Sequence, residues 1–430
     1  MVLSPKVSIR NAYMLLFASQ IVNIGFGLLA IFITLLADEI NLRPLEIGVI
    51  ISIFMVARAI SAAIMPDVSD KVGRKIILVI SLIFYAASTA LLGFARTFLS
   101  LFILRIVEGA AAGAVFPTAE ALLVDSVPKR DRGAWMGKYF TTFNFGFIIG
   151  PALGGILFTF GESVMQLDTL AAFTIPFIFT GFLGFLSLLS IIFFVEDIIT
   201  KNTIDELIID EIVHIPSSIT PHLNSFLFIG ILSGFSMGLI IPIFTLHMTD
   251  AFHLDEGTIG FIFTISGSTA LLVNYPAGKL SDKMDRMVIV TVGMVFTGLA
   301  FIGVGFSTSI FIVIIFFIFR SVAFQAYLPA YRAFQADKIP PMLRGKIMGR
   351  IQSAFNVGAV LGPLIGAAIY EHYAPYILQI FNYGFYGGGI PFLVAGVFGL
   401  IQVFTAAYIL RNERMNKRQE VILLDSQVIH

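Results

Sequence analysis

The chain alternates between long apolar stretches and short polar loops. Each stretch reaches the roughly 20 residues that a helix needs to cross a bilayer. The stretches are continuously apolar, whereas strands of a membrane barrel alternate apolar and polar residues over about 10 positions, so helices are predicted. We predict twelve spans, at residues 12–37, 46–66, 76–95, 98–125, 137–160, 168–195, 223–249, 257–278, 287–306, 309–335, 349–372 and 386–411.

The second half of the chain repeats the first at a constant offset of 212 residues. The offset places Gly48, Arg74, Pro117, Asp125 and Pro151 on Gly260, Arg286, Pro329, Asp337 and Pro363. Duplicated membrane bundles of this kind move against each other around a central site in transporters. The sequence therefore predicts an all-α membrane protein of two pseudo-symmetric six-helix bundles, residues 1–195 and 223–412. An acidic cytoplasmic linker, 196–222, joins the bundles, and a cytoplasmic tail, 413–430, follows them.

Composition supports a membrane protein, because 57% of the residues are hydrophobic and only 13% are charged. A soluble chain of this length needs more polar surface. Lys and Arg gather in the loops of one side, which places both termini in the cytoplasm of a multi-pass cell-membrane protein. The first apolar segment is too long for a cleavable signal. Without cysteine, and with six scattered His, the chain offers no disulfide and no metal site.

The loop between the second and third predicted spans, residues 66–75, contains Asp70, Gly73 and Arg74. Its tight turn needs the glycine. The loop resembles the signature loop of the major facilitator superfamily, and the resemblance covers nearly the whole chain. It implies that Asp70 and Arg74, with Asp125 as the partner of Arg74, lock the outward-facing state. A role in topology alone is the alternative.

The loop departs from the family pattern in two places. Pro66 stands where a leading glycine is usual, and the second copy has Asp285 in place of the turn glycine. Because the second copy keeps Asp282 and Arg286, we expect a second lock that is weaker than the first.

The fourth predicted span contains Arg105 and Glu108 ahead of a glycine-rich run. It is similar to a motif of proton-driven members of the family, whose arginine is implicated in proton coupling and which usually has Gln in place of Glu108. Residues three apart share a helix face, and pairing lowers the cost of two charges in a membrane. Burial disfavours the charged carboxylate and the arginine favours it. Glu108 is therefore a candidate proton carrier, and a permanent ion pair is the alternative.

The fifth predicted span contains a set of small residues at fixed spacing: Gly137, Gly146, Gly150, Pro151 and Gly155. The set looks like the motif associated with antiporters in the family, and it matches at every defining position. Glycines at this spacing also let helices approach closely, so a packing seam is the alternative. The match favours export and places the resemblance in the drug:proton antiporter branch.

Two acids of the fourth predicted span correspond to bases of the tenth under the repeat, because Glu108 falls on Arg320 and Glu120 on Arg332. We hypothesise that these residues pair between the halves, and that Glu120 and Arg332 help to close the cytoplasmic side. Arg58, near the middle of the second span, is an alternative partner for either glutamate.

Uncharged polar residues in the spans are candidate substrate contacts, with hydrogen bonding between helices as the alternative role: Gln20, Asn23, Asn144, Gln325, Tyr327 and Asn356.

Together these features predict a secondary active transporter that works by alternating access. Proton-coupled efflux of small, hydrophobic or drug-like molecules is favoured. An importer or facilitator of a sugar, organic acid or other metabolite is the alternative, and Arg320 and Arg332 suit an anionic substrate. The chain has no Walker loop, HExxH or GxSxG, so neither an ATP-driven pump nor an enzyme is expected. We expect a monomer in the lipid bilayer, with small molecules and protons as partners and without cofactor, metal or nucleic acid.

Overall fold

The structure, a computed structural model, describes residues 5–197, 220–281, 283–339, 343–380 and 382–428. Within these residues, twelve helices are long and apolar enough to cross a membrane, which confirms the predicted spans. They are α1 (Pro5–Glu39), α2 (Pro44–Val72), α3 (Arg74–Leu92), α4 (Phe98–Ser126), α5 (Arg132–Ser163), α6 (Thr174–Phe194), α7 (Thr220–Phe252), α8 (Glu256–Ser281), α9 (Arg286–Phe306), α10 (Ile310–Lys338), α11 (Arg344–Tyr373) and α12 (Ile390–Val428). Most of the predicted linker and Asp282 lie outside the described residues.

The last helix is longer than its predicted span, because α12 continues to Val428 through most of the predicted tail. The tail has no Gly or Pro, and it is rich in Arg, Glu, Lys, Gln and Leu, which are good helix formers. Hydropathy marks where a helix leaves the membrane, and it does not mark where the helix ends.

A β-hairpin between α11 and α12 was not predicted. Its strands, β1 (Ile377–Ile380) and β2 (Tyr383–Tyr386), pair antiparallel. The Tyr383 hydroxyl donates to the carbonyl of Phe306 at 2.9 Å, and Phe385 packs edge-to-face on the Phe306 ring. Tyr, Phe and Ile favour strands, but a segment this short is not separable from a loop by hydropathy alone.

The chain forms two compact units. The first contains Met1–Val213, Ile241–Thr264 and Pro363–Glu371, and therefore α1–α6 together with segments of α7, α8 and α11. In it α1 packs against α5 and α6, α2 against α4, and α3 against α4 and α6. Leu15, Phe54, Tyr85 and Leu122 belong to its buried core. In the second unit α9 packs against α10 and α12.

Short loops make consecutive helices of the first unit antiparallel. We call the end with the α2–α3 and α4–α5 loops the basic end, and the opposite end, where α2 begins, the distal end.

Candidate functional site

Arg105 and Glu108 form a buried ion pair on α4. Arg105 Nη1 donates to Glu108 Oε2 at 2.7 Å, and Glu108 is fully buried. The Arg105 guanidinium carbon also lies 3.9 Å from the centre of the Phe54 ring on α2. Within the part of the chain that the structure describes, Glu108 Oε1 has no hydrogen-bond partner. The predicted shared face is confirmed, whereas the proton-carrying role stays a prediction.

The glycines that follow this pair bring α4 against α2. A Cβ atom at Gly109 would lie 2.5 Å from the carbonyl oxygen of Phe54, and one at Gly113 would lie 2.3 Å from that of Arg58. Because only glycine allows this approach, the run after Glu108 places Arg105 over Phe54.

Arg58 lies at the midpoint of α2, between two aromatic rings. Its guanidinium carbon is 5.2 Å from the centre of the Phe26 ring and 5.4 Å from that of Phe116. Among the described residues it forms an ion pair with neither Glu108 nor Glu120. In this structure Arg58 is therefore not the partner of either glutamate.

The signature loop closes around Gly73, whose φ of 112° is strained for residues with a side chain. Arg74 Nη2 lies 3.1 Å from Asp70 Oδ1, and Arg74 Nη1 contacts Asp125 on α4. The partner predicted for Arg74 is therefore in contact with it at the basic end.

The second copy has the same contact, because Arg286 Nη1 binds Asp337. Asp285, which replaces the turn glycine, is the N-cap of α9, and its carboxylate accepts from the Met287 N–H at 2.9 Å. The second copy thus has a helix-capping Asp285 where the first has the turn glycine, and it keeps the ion pair between Arg286 and Asp337. The relative strength of the two locks stays a prediction.

The glycine motif of α5 contacts two helices. A Cβ atom at Gly146 or Gly150 would lie 2.9 or 2.4 Å from a carbonyl oxygen of α1, and one at Gly155 would lie 2.9 Å from the Cα of Gly257 on α8. Gly137 has nothing within 4 Å of that position. Three of the four glycines are therefore needed for close helix packing.

A side chain of α8 enters the backbone ladder of α5 beside Pro151. The Ala152 N–H donates to Thr264 Oγ1 at 3.0 Å, and the Thr264 hydroxyl donates to the carbonyl of Ile148 at 3.0 Å. The hydroxyl thus bridges Ala152 and Ile148, the two residues that an uninterrupted helical ladder joins directly. Sequence reasoning missed Thr264, although the repeat marks it, since its counterpart at the offset of 212 is Ser52.

Two equivalent contacts join the repeats towards the distal end of the first unit. A Cβ atom at Gly48 on α2 would lie 2.6 Å from the carbonyl oxygen of Pro363 on α11. A Cβ atom at Gly260 on α8 would lie 2.5 Å from that of Pro151 on α5. We call these two contacts the distal seam. Nearby, the Leu45 N–H donates to a carboxylate oxygen of α11 at 2.9 Å.

Other predicted residues are spread over the helices. Asn23 is fully buried, and its amide donates to the Ser19 carbonyl at 2.8 Å. Gln352 donates to Asn356 at 3.2 Å. Tyr327 is buried against Gly293 of α9. Gln20 and Gln325 are half-buried, Asn144 and Arg332 are exposed, and Glu120 is half-buried.

Arg320, on α10, stacks on Phe301 and Phe317 at 5.5 and 5.2 Å, and its Nε has no hydrogen-bond partner. The pairing of Glu108 with Arg320, and of Glu120 with Arg332, stays a prediction.

Twelve spanning helices and an internal repeat define a multi-pass membrane protein built for transport. The chain belongs to the Major Facilitator Superfamily, whose profile matches residues 15–207 and 226–421. It is a transporter of small molecules in the cell membrane, and it is not an enzyme.

Among relatives, an uncharacterized MFS-type transporter of Methanocaldococcus jannaschii is 24% identical over 82% of this chain and 89% of its own. Multidrug resistance protein MdtG of Proteus mirabilis is 28% identical over 85% and 90%. Among solved structures, an inward-facing bacterial homologue of the lysosomal transporter Spinster has a TM-score of 0.78 at 15% identity, covering 93% of this chain and 96% of its own. Its likeness shows the fold.

Proposed function

We propose that the protein is a proton-coupled exporter of small hydrophobic or drug-like molecules that works as a monomer by alternating access. The observation that carries the proposal is the Arg105–Glu108 pair, in which a fully buried carboxylate keeps one oxygen without a hydrogen-bond partner. The antiporter-type motif of α5 and the similarity to MdtG proteins support the direction and the substrate class.

The pair is connected to a helix that reaches the distal seam. A proton on Glu108 removes the charge that Arg105 faces, and it leaves the Phe54 ring as the remaining neighbour that attracts the guanidinium. Because α2 and α4 touch at backbone level beside the pair, this change acts on α2, which also contains Gly48 of the seam. A proton that enters from the distal side thus changes the balance between a closed and an open distal seam. Release of that proton on the inner side of the membrane then drives efflux.

The contact of Arg74 with Asp125 ties the signature loop of the first repeat to the end of α4. The contact of Arg286 with Asp337 ties the equivalent loop of the second repeat to the end of α10. As the resemblance to the family implies, we expect each contact to favour the outward-facing state, and the distal seam, which is formed in the same structure, to oppose it.

The test is proton movement in liposomes that contain the purified protein. A pH gradient is imposed, and internal pH is followed while lipophilic cations, sugars and organic anions are added in turn. We expect proton movement that depends on the substrate and that is abolished by Glu108→Gln. Glutamine keeps the shape of the side chain but binds no proton at the pH of the assay. Glu46→Gln, which removes a partly exposed acid in the first turn of α2, should leave the movement unchanged.

Proton movement that survives Glu108→Gln would transfer the carrier role to Glu120 or another acid. Substrate flux without proton movement would refute coupled efflux. That second outcome would favour an importer or facilitator of a metabolite, a reading supported by Arg320, which has no acidic partner among the described residues.

A further inference from the structure

We propose that Arg58, Phe26 and Phe116 form a binding site for the anionic group of an amphipathic aromatic substrate, an aromatic carboxylate being the simplest case. This inference rests on the proposed transport of small hydrophobic molecules, and it adds a negative charge to the substrate class. The site lies entirely within the first compact unit.

The charge of Arg58 is not balanced by the protein. A guanidinium stays protonated in proteins, and an unpaired charge inside a membrane is expensive. Across the described residues, no acidic side chain forms an ion pair with Arg58. The hydroxyls of Tyr85 and Tyr139 donate to the backbone carbonyls of Val22 and Phe116, at 3.4 Å each.

The two flanking rings compensate only part of this cost. A cation–π contact contributes about 0.5–2 kcal/mol, which is less than the cost of an unpaired charge in a membrane. Arg105, one helix away, has a similar ring contact and a carboxylate as well. Because Arg105 has a carboxylate beside it and Arg58 has none among the described residues, we infer that an anion from outside the protein binds to Arg58. The residue is not fully buried, which leaves part of its surface open to a ligand.

The rings beside Arg58 extend into an aromatic wall. Phe26 on α1 also contacts Phe54 and Phe147, at 5.8 and 6.1 Å between ring centres, and Phe116 on α4 contacts Phe143 at 5.7 Å. The wall therefore draws on α1, α2, α4 and α5. Phe26, Phe143 and Phe147 are only partly buried, which leaves ring surface for an apolar body.

The chemistry of the anion follows from the guanidinium. Its planar fork matches the two oxygens of a carboxylate, and such charge-assisted pairs are the stronger hydrogen bonds. An aromatic group attached to that carboxylate would then lie against the phenylalanine rings. A cation of the same shape would be repelled.

Glu120 sets a limit to the site. It lies four residues after Phe116, one helical turn further along the same face of α4. It forms no ion pair with Arg58 among the described residues. Its charge therefore weakens the binding of an anion, and its removal should strengthen it.

The test is equilibrium binding to the full chain in nanodiscs of zwitterionic lipid, measured by calorimetry with empty nanodiscs as the blank. The probes are 2-naphthoate, the neutral 2-naphthamide and 2-naphthylmethylammonium, which share one ring system. We expect the wild type to bind naphthoate most tightly. Arg58→Gln should weaken naphthoate about tenfold or more and leave naphthamide within about twofold, since a charge-assisted pair is lost.

Two further variants keep the proposal falsifiable if Arg58→Gln does not fold. Glu120→Gln should raise the affinity for naphthoate about threefold, because it removes a negative charge that repels the carboxylate of the probe. Arg43→Gln, in the exposed α1–α2 loop, is the matched control and should change nothing.

The proposal would be overturned if the wild type bound the three probes equally. It would also be overturned if neither Arg58→Gln nor Glu120→Gln changed the binding of naphthoate. Loss of naphthoate binding on adding anionic lipid would overturn it too, because it would make the lipid headgroup the occupant. The assay contains no gradient, so its outcome is independent of proton coupling. A protein that binds naphthoate through Arg58 but moves no protons would refute the proposed coupling and keep this site.

Discussion

Arg58, Arg105 and Arg320 all lie within spanning helices, but their surroundings differ. Arg105 has a carboxylate and a ring, whereas Arg58 and Arg320 each have two rings. A ring quadrupole attracts a cation without neutralising it, whereas a carboxylate does both. At the scale of single residues, one arginine is therefore already paired, and the other two can respond to an incoming anion or acid.

The turn glycine of the signature loop gives a prediction at this scale. A Cβ atom at residue 73 would need a strained φ of 112° and would lie 2.6 Å from Asp197 Oδ2. We expect Gly73→Ala to destabilise the protein by about 1–3 kcal/mol, visible as a lower midpoint of thermal unfolding in detergent. Gly137→Ala is the control, because its added atom meets nothing within 4 Å. Equal midpoints for the two variants would show that the turn tolerates a side chain.

At the scale of elements, α5 depends on a residue of another helix. Pro151 has no N–H to donate, and one turn of the ladder runs through the Thr264 hydroxyl. This contact requires α8 to lie against α5. If α8 withdraws, Ala152 can donate directly to Ile148, so the segment has two hydrogen-bonded arrangements. A segment of this kind can change partners without leaving a buried donor unsatisfied.

Thr264→Val tests this arrangement, because valine keeps the shape and removes the hydroxyl. The substitution leaves the Ala152 N–H without its acceptor while α8 stays in place, at a cost of about 1–3 kcal/mol. We expect the state with α8 against α5 to lose population about tenfold, since 1.4 kcal/mol is about a factor of ten.

Spin labels on the α1–α2 and α7–α8 loops would measure this population by pulsed distance spectroscopy, and the chain has no cysteine to interfere. Thr291→Val is the control, since that hydroxyl bonds to its own helix through the Met287 carbonyl. An unchanged distance distribution in Thr264→Val would refute the role.

At the scale of the whole molecule, the repeat of the sequence is also a repeat of contacts. The ion pair of Arg74 and Asp125 recurs with its counterparts at the offset of 212, and so does the contact of Gly48 with Pro363. The two seam contacts lie between the repeats and are equivalent under the offset, so we expect each to contribute a similar free energy to closing the distal end.

The distal seam predicts equal effects from equivalent substitutions. Gly48→Ala and Gly260→Ala each place a methyl group against a proline carbonyl, at 2.6 and 2.5 Å. We expect both to shift the same loop distances towards separation by similar amounts. Gly278→Ala, whose added atom would meet nothing within 4 Å, should have no effect. If only one of the two substitutions shifts the loop distances, the two contacts do not contribute equally to closing the distal end.

The hypothesis that Glu120 and Arg332 pair also belongs to this scale. Reversing either charge alone should reduce transport in liposomes, and reversing both should restore part of it, as in a double-mutant cycle. The exposed pair Arg43 and Glu46 offers a control, for which single reversals should have little effect. Failure of the double reversal to restore any transport would count against direct pairing.

The candidate site was predicted unevenly. The pair of Arg105 and Glu108 was found because the two residues lie three apart on one helix, and the pair of Arg74 and Asp125 was implied by the resemblance of the signature loop. The aromatic surroundings of Arg58 were not found, because phenylalanine is common in any span, with 44 in the chain. Nothing in the spacing of Phe26 or Phe116 distinguishes them from residues that face lipid.

The sequence by itself determined the twelve spans, the duplication and the family, because hydropathy, repeat offset and local spacing are properties of the chain read in order. Only the tertiary structure decided that Arg58 lies between two aromatic rings, that Thr264 bonds to the backbone of α5, and that Gly48 and Gly260 lie against proline carbonyls. These facts depend on distances between helices that are remote in sequence. Such distances are set by packing against several helices at once, which no local pattern encodes.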